Sequence, residues 1–269
     1  MANTRNFADA QGPAVALGAF QLRSGGKVVG ATLKWTDIMR GFDNSTPGQS
    51  GRRDVVRYDS PAWEGFTASW AWGEDDLWDA ALTYKGSWNG ISVLAKVGYG
   101  ESTDPGETLG PAGFTFVTGG TNCGTGPAEF KCKWGGAAGT VKHDATGLYV
   151  YGGWGKQVID TPGLAATFDR DSTTWFIQPG IEQKWTALGK TTIFGEYRKD
   201  DAGSNPGKTI NSSIQFWQAG VVQNIEAAAM DLYVIYQHTD GDVTLTATPG
   251  VVTDLDAFSQ VTAGALIQF

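Results

Sequence analysis

The sequence has little charge, little cysteine and little histidine, and it contains no long hydrophobic run. Charged residues make up 18% of its 269 positions, below the roughly 25% typical of soluble domains. No stretch approaches the ~18 uncharged apolar residues from which a transmembrane helix is built. Because the net charge is only −8 and aromatic residues reach 12%, the composition excludes a disordered chain. The acidic balance also argues against a nucleic-acid partner.

Motifs for catalysis and for metal binding are missing. His143 and His238 are the only histidines in the sequence, and neither has neighbours at the spacing that a zinc site needs. There is no G-x-S-x-G and no H-E-x-x-H segment. Two GK[ST] tripeptides, at 189–191 and 207–209, lack the earlier glycine of a phosphate-binding loop. We therefore expect a protein that is not an enzyme and that uses no cofactor and no metal.

The two cysteines and the N-terminal segment give information about the cellular compartment of the protein. Cys123 and Cys132 lie in one stretch rich in glycine, threonine and proline. Their closeness predicts a local disulfide in an oxidising compartment, with two free thiols as the alternative. The N-terminal segment lacks the basic start and the apolar run of a signal peptide. We expect either that a leader was removed or that the chain begins partway into a longer protein.

Glycine is abundant, and apolar side chains recur at every second position. The 38 glycines are about twice the usual ~7%, which excludes a helical bundle. Alternation persists from residue 53 onwards, most cleanly where Val261, Ala263 and Ala265 oppose Gln260 and Thr262. It predicts eleven strands, at 53–59, 65–73, 77–86, 91–101, 137–143, 147–157, 171–186, 190–199, 210–224, 228–240 and 256–269. Residues 27–35 are a possible twelfth strand.

Strand length, loop length and the two faces together indicate a membrane. Most predicted strands are near the ~9–11 residues that cross a bilayer at a tilt, whereas globular strands average ~5–6. Long connections alternate with short ones along the chain, and 74–76 is the exception. This alternation is typical of membrane barrels, and a soluble β-sandwich has no physical reason for it. One face is apolar with aromatics near its ends. The other is small and polar, with charges at Lys96, Glu182, Lys184, Glu196 and Arg198. We therefore predict an all-β, antiparallel transmembrane β-barrel whose apolar face contacts lipid.

The segment 51–65, GRRDVVRYDSPAWEG, carries the densest run of basic residues. Arg53, Arg57 and Asp59 share one face of the predicted strand. Arginines that face a narrow water-filled lumen would bias the passage of ions. The alternative is that Arg52, Arg53 and Arg57 are ordinary charges at a strand edge.

Several segments resemble the alphaproteobacterial branch of the general porins. They are RRDVVRYDSPAWEGF at 52–66, TGLYVYGGWGKQ at 146–157, WTALGKTTIFGEYRKDD at 185–201, VVQNIEAAAMDLYVIYQH at 221–238 and the C-terminal VTAGALIQF. The resemblance covers residues 28–269, and these motifs in this order are specific. It implies an outer-membrane trimer of sixteen-stranded barrels, each with its own aqueous channel. It also implies contact with the lipid bilayer and lipopolysaccharide, and assembly by machinery that recognises the C-terminal aromatic, Phe269.

The resemblance also assigns roles to particular residues. It makes 51–59 the sixth strand of the family and 256–269 the sixteenth. The inward-folded third loop, which narrows the pore, would then lie at about 36–50. Residues assigned to this constriction are Arg52, Arg53 and Arg57 on the basic side and Asp37 and Asp43 on the acidic side. From their place on the polar face we expect Lys96, Glu196 and Arg198 as further lining of the lumen. The family's first five strands have no clear counterpart in 1–35, so we expect either a truncated chain or a smaller barrel of twelve strands.

These observations lead to one leading hypothesis and one alternative. The leading hypothesis is a porin, a passive channel for ions and small hydrophilic solutes, with an N-terminal segment at 1–52 and barrel strands at 53–269. The alternative is a secreted or surface β-sandwich that binds carbohydrate through exposed aromatics such as Trp134 and Trp154.

Overall fold

The computed structural model describes residues 21–30, 33–35, 38, 55–73, 78–102, 131–160, 169–204 and 208–267. A small hairpin is formed by β1 (Arg23–Ser24) and β2 (Lys27–Val28). The remaining strands are β3 (Val55–Asp59), β4 (Phe66–Gly73), β5 (Trp78–Trp88), β6 (Ile91–Ser102), β7 (Lys131–His143), β8 (Leu148–Asp160), β9 (Asp171–Thr186), β10 (Gly189–Ala202), β11 (Thr209–Ile225), β12 (Met230–Leu245), β13 (Val252–Asp254) and β14 (Phe258–Ile267). Among the described residues, no helix has the length and apolarity to span a bilayer.

The strands β3 to β14 form one twelve-stranded antiparallel sheet. From β3 to β12 each strand pairs with its neighbours in sequence, and β12 pairs with both β13 and β14 on its other side. All eleven predicted strands are confirmed, although β7 begins at Lys131 and not at 137. The only other sheet in the described part of the chain is the two-stranded hairpin β1–β2, which is too small to be the second layer of a β-sandwich, so the β-sandwich interpretation is wrong.

The possible strand at 27–35 is also wrong. Of the described residues there, Lys27 and Val28 form a two-residue strand that pairs with β1 outside the large sheet, and Lys34 forms a single bridge with Gln21. Glycines at 25, 26 and 30 have φ angles of 56°, 77° and 62°, a region that glycine enters readily. Because these residues turn the chain twice within six positions, it cannot continue as one strand.

Connections at the two edges of the sheet differ in length, as predicted. The short connections are 60–65, 89–90, 144–147, 187–188 and 226–229, the last with a 3-10 helix at Glu226–Ala228. We call this edge the short-turn end. The longer connections, among them 103–130, 161–170 and 246–257, join strand ends at the opposite edge, the long-loop end. The connection 74–77 remains the exception. This asymmetry is typical of membrane barrels.

The two faces of the sheet have reversed exposure compared with a soluble protein. Trp70, Val97 and Leu232 have 59%, 52% and 41% of their surface exposed. On β9 the polar residues Thr174 and Gln178, which point the other way, are buried. We call the apolar, exposed face the outer face and the polar face the inner face. The apolar side chains therefore point away from any shared interior, which confirms the predicted arrangement.

Aromatic side chains form two bands on the outer face. Near the long-loop end the ring centroids of Trp175 and Tyr197 are 5.1 Å apart, and those of Tyr197 and Trp217 are 4.3 Å apart. Near the short-turn end Trp185 lies on β9, the strand that also carries Trp175. The ten-residue separation is about 33 Å along a strand, or about 25 Å along the membrane normal at the usual tilt of about 40°. This matches the height of the apolar band of an outer-membrane barrel.

Glycines on the inner face lie beneath aromatic rings of the adjacent strand. A methyl group built on Gly220 would lie 2.7 Å from Cε1 of Phe194 and 2.9 Å from Cγ1 of Ile235. Phe176 and Tyr233 cover Gly153 and Gly264 in the same way. Because each ring lies against a position without a side chain, the rings pack close to the backbone of the wall. This packing accounts for part of the high glycine content.

We predict that Gly220→Ala destabilises the protein and that Gly98→Ala does not. Phe194 and Ile235 are both buried, so neither can move aside, and overpacking of this kind costs about 1–3 kcal/mol. At Gly98, also on the inner face, the nearest atoms to an added methyl lie 3.5 Å away, at ordinary contact distance. Urea unfolding in lipid vesicles, followed by tryptophan fluorescence, measures both. Equal midpoints for the two variants would contradict the packing argument.

Candidate functional site

Polar side chains on the inner face form a row across neighbouring strands. On β10 Glu196 is buried and accepts hydrogen bonds from the amide groups of Gln178 on β9 and Gln218 on β11, at 3.0 Å and 2.9 Å. On β12 and β14 the same row continues with Gln237, which accepts a hydrogen bond from Gln260. The register places these residues side by side because each strand contributes alternate positions. The carboxylate of Glu196 is therefore fixed in the wall.

An ion pair lies in the adjacent row. Arg198 Nε donates to Asp200 Oδ1 at 2.8 Å, and the two side chains are 3% and 0% exposed. The hydroxyl of Thr174 also donates to Asp200. The guanidinium carbon of Arg198 lies 5.5 Å from the centroid of the Phe216 ring, within the range of a cation–π contact. Both charges are thus held inside the wall and offset each other.

The predicted cations Arg57 and Lys96 also lie on the inner face. Arg57 donates from Nη2 to Asp59 Oδ1 at 2.8 Å, with the side chains 54% and 53% exposed. Arg57 and Asp59 therefore form an ion pair that remains accessible to solvent. Lys96 on β6 is exposed beside Thr83 and Ala138, which are too small to cover it. This part of the inner face differs from the buried row on β9 to β11.

The other predicted site residues cannot be placed. Arg52, Arg53, Asp37, Asp43, Cys123 and Phe269 lie outside the described residues. Cys132 lies in β7, in register with Ser102. The constriction, the disulfide and the C-terminal assembly signal therefore stay predictions, and so does any role of the placed charges in ion passage.

Sequence reasoning missed some of the inner-face charges at the short-turn end. Lys142 and Lys190 both contact the carboxylate of Glu182, the latter with Nζ 3.3 Å from Oε1. Lys184 Nζ lies 2.7 Å from Glu226 Oε2. Alternation indicated Glu182 and Lys184, but Lys142 and Lys190 lie on other strands and Glu226 lies in the 3-10 helix, so these contacts follow only from how the strands pair.

The N-terminal segment covers one part of the inner face. Leu22, Leu33, Trp35 and Ile38 are buried in one cluster with Ile214, Phe216 and Val243 of β11 and β12. The rings of Trp35 and Phe258 are 5.3 Å apart. Ser212 Oγ donates to the carbonyl oxygen of Ile38 at 2.6 Å. Sequence reasoning missed this contact, since its apolar residues follow neither strand nor helix spacing.

The inner face combines fixed charges, amides and hydroxyls that are bonded to one another. Such a surface can line a water-filled space and give it a local electric field. Within the described ranges, no group of three or more histidine, cysteine or carboxylate side chains could hold a metal ion.

We predict that Arg198→Met destabilises the protein far more than Arg57→Met. Both arginines pair with the carboxylate two residues later at 2.8 Å, so the two pairs differ in burial and in the contacts of the buried pair with Thr174 and Phe216. Removing one partner of a buried pair costs about 3–5 kcal/mol, whereas an exposed pair is worth about 0–1 kcal/mol. Urea unfolding in vesicles measures both. The double variant Arg198→Met, Asp200→Asn should recover part of the loss, and failure to do so would mean that the arginine acts through packing alone.

The chain matches known proteins in two of three comparisons. A model of the Gram-negative porin family matches residues 9–244. No curated protein sequence matches. Among solved structures, the chain is similar to the anion-selective porin from Comamonas acidovorans, with a TM-score of 0.52 and 13% identity over 79% of this chain and 58% of that one. It also matches the outer membrane protein OmpT of Vibrio cholerae, with a TM-score of 0.49 and 15% identity over 78% of this chain and 62% of that one. The chain thus spans about three-fifths of the length of these structures, and the Comamonas match supports the fold.

Proposed function

The chain belongs to the Gram-negative porin family, and we propose that it forms the wall of a passive aqueous channel in the bacterial outer membrane. The observation that carries this proposal is the reversed exposure of the sheet, with an apolar outer face about 25 Å high between aromatic bands and a polar inner face. Ions and small hydrophilic solutes would diffuse along the inner face. The channel would transform no substrate and would need no cofactor.

Selectivity in such a channel comes from its width and from the charges along it. We propose that Arg52, Arg53 and Arg57, with Lys96, form a basic side of the lumen, and that Asp37 and Asp43 form an acidic side on the constriction loop. The exposed inner-face positions of Arg57 and Lys96 support this assignment. Glu196 and Arg198 would contribute as fixed parts of the wall, because both are buried and bonded.

Membership of the family also supports proposals about assembly. We propose a homotrimer of the alphaproteobacterial type, in contact with lipopolysaccharide and inserted by the assembly machinery through Phe269. The strands β3 to β12 and β14 would be the sixth to sixteenth of the family's barrel. In lipid every backbone hydrogen bond must be made within protein. Closure beyond the edges of β3 and β14 would therefore come from residues outside the described ranges or from another chain.

The channel itself is tested by reconstitution. The protein should require detergent to stay dispersed, because its outer face is apolar, and in planar bilayers it should give stepwise increases in conductance. Vesicles that contain it should swell in solutions of small sugars. A protein that refolds and stays monodisperse without detergent, and gives no conductance steps, would contradict the proposal.

We predict that replacing Arg53 and Arg57 by serine shifts the selectivity toward cations. Two positive charges would be lost from the lumen, so its field would favour anions less. The reversal potential in a salt gradient measures the shift. Lys156→Ser is the control, because Lys156 lies on the outer face, where it pairs with Asp171, and its loss should leave the potential unchanged. If the reversal potential of the arginine variant is unchanged while the variant still conducts, the proposal that Arg53 and Arg57 line the lumen is wrong.

A further inference from the structure

Two successive glycines of the β1–β2 hairpin bind one carboxylate through their backbone N–H groups. The backbone N–H groups of Gly25 and Gly26 donate to Oδ1 and Oδ2 of Asp256, both at 2.8 Å. These glycines have φ angles of 56° and 77°, so their N–H groups turn to the same side and form an anion-binding nest. In return the N–H of Asp256 donates to the carbonyl oxygen of Arg23 at 2.6 Å. Three hydrogen bonds thus join the hairpin to the residue two positions before β14.

The nest requires glycine in the hairpin and an acid at 256. An alanine at either glycine would strain the backbone, since side chains rarely adopt these φ angles. Hydrogen bonds to an ionised acceptor are stronger than those between neutral groups. Asp256 is itself exposed, however, so water competes for its oxygens. The two hydrogen bonds therefore fix the position of the carboxylate, but water can replace them and let the hairpin separate from Asp256.

Beside the nest, a cluster of buried apolar side chains holds the hairpin segment against the inner face. Leu22, Leu33 and Trp35 are buried against Val243 and the neighbouring residues of the inner face. Gly30 lets the chain turn closely over Leu33, whose Cδ1 would be 2.5 Å from an added methyl group. The cluster gives the segment affinity for this wall, and the nest fixes its position along the wall.

We infer that Asp256 is a positioning residue for the channel: it latches the β1–β2 hairpin, and with it Leu33, Trp35 and Ile38, onto the inner face of β11, β12 and β14, and so sets how much of the lumen these residues fill. The inference rests on the proposed channel function. Opening the nest would free the hairpin on the side of β14 and leave it held by the apolar cluster alone. The lumen would then be wider and its width less constant.

The latch is tested first without any measurement of transport. Val29 is buried in the same cluster, so Val29→Cys provides a small, covered reporter whose maleimide labelling is located by mass spectrometry. In this background Asp256→Ala should raise the labelling rate severalfold, because Val29 becomes accessible only when the nest and the cluster open together, and loss of the two hydrogen bonds to the carboxylate makes that opening less costly. Asp256→Asn, which keeps one acceptor and the shape of the side chain, should give an intermediate rate.

The control is Asp254→Ala. Asp254 is also exposed and lies two residues away, but it is in register with Asp242 on β12 and not with the hairpin. It should leave labelling unchanged. Gel mobility with and without heating shows that each variant is folded. Equal labelling of the Asp256→Ala, Asp254→Ala and parent proteins would overturn the latch.

Conductance then separates the latch from the channel. In single channels Asp256→Ala should raise the conductance and the current noise, and Asp254→Ala should change neither. Normal conductance in all variants would refute the latch while the channel function stands. If labelling responds as expected but the parent protein conducts no ions, the channel function fails while the docked hairpin remains.

Discussion

The rest of the structure depends on one requirement: backbone N–H and C=O groups in hydrocarbon must bond to one another, because no water is present to replace a missing partner. An uninterrupted antiparallel ladder from β3 to β14 meets this requirement across the described sheet. Once the ladder is fixed, successive side chains must point to opposite sides. Every strand then contributes to both a lipid face and an inner face, and one sequence pattern specifies both.

The inner face is governed by a second requirement, which is that buried polar groups need partners. On β9 to β11 this is largely met inside the wall, where Gln178 and Gln218 bond to Glu196 and where Arg198 pairs with Asp200; the Oε1 atom of Gln218 is buried without a hydrogen-bond partner. On β3 and β6 the inner-face charges Arg57 and Lys96 remain exposed to solvent. The inner face therefore has a covered part, whose charges are paired within the wall, and an open part, whose charges are exposed to solvent.

Sequence predicted the strands and faces because both depend on local features. Alternation and turn residues specify a strand such as β14 without reference to any other strand. The start of β7 was placed six residues late because Gly135 and Gly136 have low strand propensity, and pairing with β6 and β8 overrides it. The docking of the hairpin was not predictable in this way. It joins Gly25 to Asp256, 231 positions apart, and neither residue alone indicates the other. Similarly, the charge at Arg198 was evident in the sequence, but its burial depends on what covers the wall.

The position of the N-terminal segment bears on the field in the lumen. All its described anchors, from Ile214 to Phe258, lie on β11, β12 and β14 or next to them. The segment leaves the part of the inner face on β5 and β6 uncovered, and there Lys85 and Lys96 are exposed. Arg57 is partly offset by Asp59 at 2.8 Å, but the two lysines lie on adjacent strands and reinforce each other. Although the whole chain carries a net charge of −8, the described inner face of β3 to β6 carries three cations, Arg57, Lys85 and Lys96, against the two carboxylates Asp59 and Asp79. Local placement, and not net charge, thus decides which ions such a surface attracts.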